Sequence, residues 1–128
     1  MLSKNHYLKL FAPLVAITIF VLSSQSTISL PRMRGIPTDK IAHFLAFGAL
    51  SLSVCLWFSL ESWTKQSFKT SLIVFSLTSL YGALDEIHQH FVEYRIPSFT
   101  DWVADSLGAL AGIFLVLFWV KCVRKVKT

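Results

Sequence analysis

Long apolar runs, separated by short polar or proline-containing segments, dominate the chain. Three of them cover residues 41–60, 68–84 and 107–120, and the last extends back through Trp102. A helix needs about 20 mainly apolar residues to cross a hydrocarbon core of roughly 30 Å. Charged, polar or proline residues bound each run, as the ends of separate helices require. The pattern therefore predicts three membrane-spanning helices.

A shorter apolar run, residues 10–22, precedes the serine-rich segment 23–27. Residues 28–30 can extend it to a fourth span. Alternatively, Lys4 and Lys9 would be the basic region of a cleaved signal peptide. The absence of a clear Ala-x-Ala site favours the uncleaved helix. We expect an all-α polytopic bundle of four transmembrane helices, three if the segment is cleaved, with residues 1–128 as one membrane-embedded domain.

The composition supports a membrane protein. Of the 128 residues, 54% are hydrophobic and 15% are charged, which is more apolar surface than one small soluble domain buries. The net charge of +5 comes from basic residues at the ends of apolar runs, so it predicts no nucleic-acid partner. Cys55 and Cys122 lack the close spacing of a zinc or redox pair, and we expect no disulfide.

Lysine and arginine fall unequally on the two sides of the predicted helices. Four lie on one side, at Arg32, Arg34, Lys40 and Arg95. Eight lie on the other, at Lys4, Lys9, Lys65, Lys69, Lys121, Arg124, Lys125 and Lys127. Because cytoplasmic loops carry the excess of cations, we expect the side with eight to be cytoplasmic, which places both termini inside. The tryptophans mark the same boundaries, Trp57, Trp63 and Trp119 at inner ends and Trp102 at an outer end.

The alternating helix directions bring charged residues from separate segments to one depth. The helix from Asp39 runs inward, the helix ending near His88 runs outward, and the helix from Asp101 runs inward again. At the outer edge this places an outer polar cluster of binding candidates, namely Asp39, Lys40, His43, Asp85, Glu86, His88, Gln89, Arg95, Asp101 and Asp105. Such groups persist near a bilayer when they are paired or hydrated.

Helical periodicity assigns these residues to faces. Asp39 and His43 share one face, and Asp85, His88 and Gln89 share another. On the last helix a single stripe carries acids at its outer end and small packing residues deeper in the membrane, at Asp101, Asp105, Gly108 and Gly112. The stripe would direct the carboxylates into the bundle.

Simpler structural roles are open for several of these residues. Ser98 and Asp101 have the spacing of a capping box, and Asp39 could be an N-cap. Asp85 and Glu86 could be the hydrated end of an outgoing helix. These roles do not explain why acids, histidines, an amide and two cations converge at one depth.

The motif residues resemble a known family. Asp39 to Phe44 with Phe47, then Asp85 to Gln89, then Arg95 with Ser98, Asp101, Asp105 and Gly108, are similar to the signature of VanZ-like membrane proteins over residues 38–113. The resemblance implies a small bacterial inner-membrane protein whose founding relatives give low-level resistance to teicoplanin. It supplies no established chemical activity. By position it implies functional roles for Asp39, Lys40, His43, Asp85, Glu86, Gln89, Arg95, Asp101 and Asp105.

The sequence departs from the family pattern at two places. Relatives often carry Pro-Gly before the motif arginine, where this chain has Glu93 and Tyr94, which puts a tight turn there in question. Relatives often have Asn at position 105, and Asp105 adds a negative charge.

Four functions compete. The first is a membrane protein whose outer pocket engages a lipid-linked or glycolipid envelope component. The second is an intramembrane hydrolase or transferase acting on such a lipid, since carboxylates with histidines can move protons or hold a metal. No H-E-x-x-H spacing and no nucleophile beside a base is present, so we lean away from an enzyme and expect no cofactor. The others are a structural accessory subunit and a transporter component, with the oligomeric state left open.

Overall fold

The computed structural model describes residues 6–26 and 37–126, and every regular element in these two ranges is helical. A 3₁₀ turn over His6–Leu10 leads into α1 (Phe11–Ser23). The elements that follow are α2 (Thr38–Cys55), the short α3 (Leu60–Lys65), α4 (Ser67–Gln89) and α5 (Phe99–Val126). The all-α prediction is confirmed for this part of the chain.

Some predictions lie outside the described residues. They concern the extension of the first apolar run by residues 28–30 and the side assigned to Lys4, Arg32, Arg34 and Lys127.

The pair formed by α2 and α5 is the most extensive helix contact in the described chain. Gly108 makes the close approach possible, because a Cβ there would stand 2.2 Å from the carbonyl oxygen of Phe44 and 3.0 Å from the nitrogen of Gly48. One turn further, a Cβ on Gly112 would lie 3.0 Å from the Gly48 carbonyl oxygen. Small residues thus let the two backbones touch.

Apolar side chains cover the outside of the bundle, and many polar side chains are buried inside it. The outward faces of α1, α2, α4 and α5 expose large apolar residues, among them Leu14, Ile17, Leu45, Leu80, Leu84, Phe114 and Phe118. The buried polar residues include Ser51, Thr78, Asp85, Glu86, Gln89, Asp101 and Asp105. A soluble monomer rarely exposes so large an apolar surface.

The hydrophobicity of residues 41–60 predicts a single helix, but the structure breaks this run. Helix α2 ends at Cys55, and three turn hydrogen bonds, the last from the N–H of Phe58 to Cys55 O, follow it. Ser59 then caps α3 by accepting a hydrogen bond from the N–H of Ser62. The chain turns here because Trp63 of α3 packs into the core, an interaction that hydropathy alone does not report.

One tryptophan at this end, Trp63, is buried and does not lie at the expected interface. Trp63 is only 1% exposed, and its indole N–H donates to the carbonyl oxygen of Cys55. Trp57 is exposed and donates to Lys9 O. The indole of Trp102, near the opposite end, donates to Ser79 O across the α4–α5 contact. The indole N–H groups of Trp57, Trp63 and Trp102 therefore all donate to backbone carbonyl oxygens.

Two described helical segments, His6–Ser23 and Phe99–Lys125, could cross a membrane by their length and composition. The chain is thus compatible with a membrane protein. A signal sequence can have the length and composition of the first segment. The core helix of a soluble protein can have those of the second.

Replacing Gly108 with Ala should destabilise the fold. Its Cβ would enter the backbone of α2, and overpacking of this kind costs about 1–3 kcal/mol. We expect a lower unfolding temperature for the purified protein in detergent. Gly48→Ala is the matched control, because its Cβ would lie in ordinary contact 3.4 Å from Gly108 O. Equal unfolding temperatures for the two variants would contradict the α2–α5 packing.

Candidate functional site

Four helix ends meet at one end of the bundle and bring the predicted polar residues into two adjoining groups. The first, the α2–α4–α5 cluster, consists of Lys40, His43, Glu86, Asp101 and Asp105. The second, the α1–α4 cluster, consists of Ser23, Ser24, Asp85, His88 and Gln89.

Two ion pairs, one helical turn apart, join α2 to α5. Lys40 Nζ donates to Asp101 Oδ1, and His43 Nδ1 lies 2.9 Å from Asp105 Oδ1. The pairs are unequal in exposure. Asp105 is fully buried, whereas Lys40 keeps 40% of its side chain exposed. The two α2 residues therefore supply the partners of the acidic stripe of α5.

Glu86 connects α4 to the start of α5. Its Oε2 accepts a hydrogen bond of 2.7 Å from the N–H of Ser98, while the carboxylate of Asp101 is engaged by Lys40. Ser98 Oγ pairs with Thr100 Oγ1. The capping box considered for Ser98 and Asp101 therefore does not form, because a carboxylate from another helix satisfies the N–H group at the start of α5.

The simpler roles considered for other acids also differ from what the structure shows. Pro37, and not Asp39, precedes the first residue of α2, and Asp39 lies exposed in the first turn. Asp85 and Glu86 are buried, at 5% and 8% exposure, so the end of α4 is not a hydrated terminus.

Gly82 makes room for Asp105 beside α4. A Cβ at this position would stand 2.9 Å from Asp105 Oδ2 and 3.3 Å from the ring of Phe47. Gly82 was not among the predicted site residues. Its position three residues before Asp85, on the face that points to the other acids, was the available signal.

The end of α1 contributes the hydroxyl groups of Ser23 and Ser24, which were also not among the predicted site residues. Ser23 Oγ donates to Asp85 Oδ1 at 2.6 Å, and Gln89 Nε2 donates to Asp85 Oδ2 at 3.1 Å. Ser24 Oγ pairs with His88 Nε2 at 2.9 Å. These serines end the first apolar run at the depth of the outer polar cluster, which could have indicated their role.

Arg95 does not pair with an acid of either cluster. Its guanidinium donates to the carbonyl oxygens of Leu22, in the last turn of α1, and of Gln25, two residues beyond the helix. A cation at a helix C-terminus satisfies free carbonyl groups and interacts favourably with the helix dipole. Arg95 therefore holds the end of α1 against the loop that follows α4.

A tight turn precedes Arg95 although this chain lacks the Pro-Gly pair of relatives. The N–H of Arg95 donates to Val92 O, and Tyr94 has a φ of 63°. A positive φ at the third position of such a turn is the conformation for which glycine is preferred. Tyr94 thus adopts the backbone conformation that a glycine would take at lower cost.

The two groups border a cavity of about 190 Å³ between α1, α2 and α4. Its polar lining comes from Ser23, Asp39, His43, Asp85, Gln89 and Arg95. Asp39 makes no side-chain hydrogen bond among the described residues. The cavity thus offers carboxylates, an amide and a guanidinium to a polar ligand, and apolar side chains form the rest of its wall.

A helical bundle with charged residues buried at one end and apolar residues outside defines this chain as a small helical protein compatible with membrane insertion. A family model described as VanZ/LLP1 matches residues 2–120. The chain therefore belongs to the VanZ/LLP1 family, as its motifs indicate. Comparisons with curated proteins and with solved structures give no significant match.

Replacing Ser23 with Ala should loosen α1. Asp85 would lose a buried hydrogen bond, at a cost of about 1–3 kcal/mol, and the unfolding temperature in detergent should fall. Thr18→Ala is the control, because the exposed Thr18 hydroxyl bonds only within its own helix, to Leu14 O. A Ser23→Ala variant as stable as this control would contradict the attachment of α1 to Asp85.

Proposed function

We propose that the chain is a multi-pass protein of the bacterial inner membrane in which α1, α2, α4 and α5 span the bilayer and both termini are cytoplasmic. The apolar outward faces of these helices support four spans. The contacts of α1 support a retained helix, since Tyr81 donates to Ala16 O and Ser23 donates to Asp85. The excess of lysine and arginine at the opposite end supports the orientation.

The topology can be tested with a thiol reagent that does not cross membranes. In a Cys122→Ser background, a cysteine at the exposed Glu93 position should react in intact cells. The exposed native Cys122 should react only after the inner membrane is permeabilised, and the buried Cys55 should not interfere. If Cys122 were labelled in intact cells and position 93 were protected, the orientation would be the opposite of the proposed one.

We further propose that the cavity binds part of a lipid-linked or glycolipid component of the cell envelope and thereby affects susceptibility to glycopeptides such as teicoplanin. The observation that carries this proposal is the mixed-charge lining of the cavity, which the proposed topology puts at the depth of the headgroups. Carboxylates accept hydrogen bonds from sugar hydroxyls, and the positive Arg95 favours phosphate oxygens. Because ligand pockets usually measure about 300–1,000 Å³, this smaller cavity fits one sugar or phosphate unit.

Asp39 is the residue of choice for a test, since its exposed carboxylate lines the cavity without a structural hydrogen bond among the described residues. A charge-assisted hydrogen bond contributes about 1.5–3 kcal/mol, so Asp39→Asn should weaken ligand binding about tenfold or more. Teicoplanin susceptibility should then approach that of cells lacking the protein, at unchanged abundance in membrane fractions.

Glu61→Gln is the matched control, because Glu61 is an exposed acid in α3, away from the cavity, that pairs with Lys65. It should behave as wild type. An Asp39→Asn protein that accumulates normally and matches wild type with every envelope-directed antibiotic tested would exclude the cavity as the binding site.

An intramembrane hydrolase or transferase is the second candidate, favoured by the His43–Asp105 pair beside Glu86, which could move a proton. Turnover of isoprenoid phosphates by purified protein would distinguish it from a binding protein. A structural accessory subunit is the third, favoured by the two ion pairs between α2 and α5. In that case variants of the α2–α4–α5 cluster would lose abundance together with function.

A further inference from the structure

Three side chains of the α2–α4–α5 cluster converge from three different helices. His43 of α2, Glu86 of α4 and Asp105 of α5 each offer one ligand atom, and these atoms lie within 4.8 Å of one another. Glu86 and Asp105 are buried, and the side chain of His43 is 12% exposed. Residues separated by about 20 to 60 positions therefore form one compact group.

The hydrogen bonding of this group is incomplete. Glu86 Oε1 and Asp105 Oδ2 are buried and have no hydrogen-bond partner among the described residues. The neighbouring acids have side-chain partners: Lys40 donates to Asp101, and both Ser23 and Gln89 donate to Asp85. Asp105 pairs with His43 through its other oxygen, and Glu86 accepts from Ser98 through its other oxygen, so each carboxylate keeps one buried oxygen without a partner among the described residues. Buried polar atoms without a partner are costly, and a bound cation would satisfy both.

We propose that His43, Glu86 and Asp105 bind one divalent transition-metal ion such as Zn²⁺ or Mn²⁺. One imidazole nitrogen with two carboxylate oxygens suits these ions, whereas Ca²⁺ and Mg²⁺ prefer oxygen ligands alone. Three protein ligands would leave at least one coordination position for water or a substrate oxygen. The bound ion would join α2, α4 and α5 at this end of the bundle.

A second group, Asp39, His43 and Asp101, also has potential ligand atoms within 4.8 Å of one another. It shares His43 with the first group, so the two cannot hold separate ions through the same nitrogen. Lys40 already occupies Asp101, and Asp39 is exposed. The unsatisfied buried oxygens belong to Glu86 and Asp105, which favours the first group.

The test uses the full chain purified in detergent with a tag that contains no histidine. After treatment with a chelator, the protein should bind one equivalent of Zn²⁺ in a calorimetric titration, and its unfolding temperature should rise. Glu86→Gln and Asp105→Asn should each weaken Zn²⁺ binding by more than about tenfold. Mutating a residue that only orients a metal ligand already weakens metal binding by that factor. Glu61→Gln is the matched control for the change of Glu to Gln.

A measurement on the unmodified chain keeps the test decisive if a variant fails to fold. The zinc-edge X-ray absorption spectrum should show one imidazole and carboxylate oxygens, without sulfur from Cys55 or Cys122. The proposal is overturned if the wild-type chain binds no stoichiometric Zn²⁺ or Mn²⁺, or if the spectrum shows sulfur ligands. Weakened Zn²⁺ binding by Asp39→Asn with full binding by Glu86→Gln would also overturn it, since it would assign the ion to the second group.

Discussion

A carboxylate removed from water must find a partner, and this constraint organises one end of the bundle. Among the described residues, four buried carboxylates lie there, at Asp85, Glu86, Asp101 and Asp105. Each takes at least one partner from another helix, a serine hydroxyl, a backbone N–H, a lysine or a histidine. Breaking such a buried pair leaves a charge uncompensated. The acids therefore stabilise the observed packing of the helices against each other.

Close backbone packing is what allows these partners to reach one another. Gly108 brings α5 against α2, and Gly82 leaves space for Asp105 against α4. Side chains as short as aspartate can then bridge two helices, and the long Lys40 reaches Asp101 at the rim. Packing and electrostatics therefore depend on each other: the glycines set the separation that the ion pairs require, and the ion pairs select the rotation that brings the glycines together.

The proposed activities use different parts of this end of the bundle. The cavity between α1, α2 and α4 exposes Asp39 and Arg95 to a ligand, whereas the oxygens without partners belong to Glu86 and Asp105 on the α5 side. His43 borders both, because it lines the cavity and pairs with Asp105. A metal held beside His43 would thus lie next to the proposed headgroup site, and each proposal can be tested without the other.

The sequence by itself determined the helical class, the approximate extent of α4 and α5 and the stripe of Asp101, Asp105, Gly108 and Gly112, because hydropathy and helical period are properties of single segments. It did not predict the break after Cys55 or the partners chosen by Glu86 and Arg95. Only the tertiary structure decided these, since they depend on the rotation and spacing of helices whose contacts join residues far apart in the chain. Partner choice is a property of the packed bundle, and no single helix encodes it.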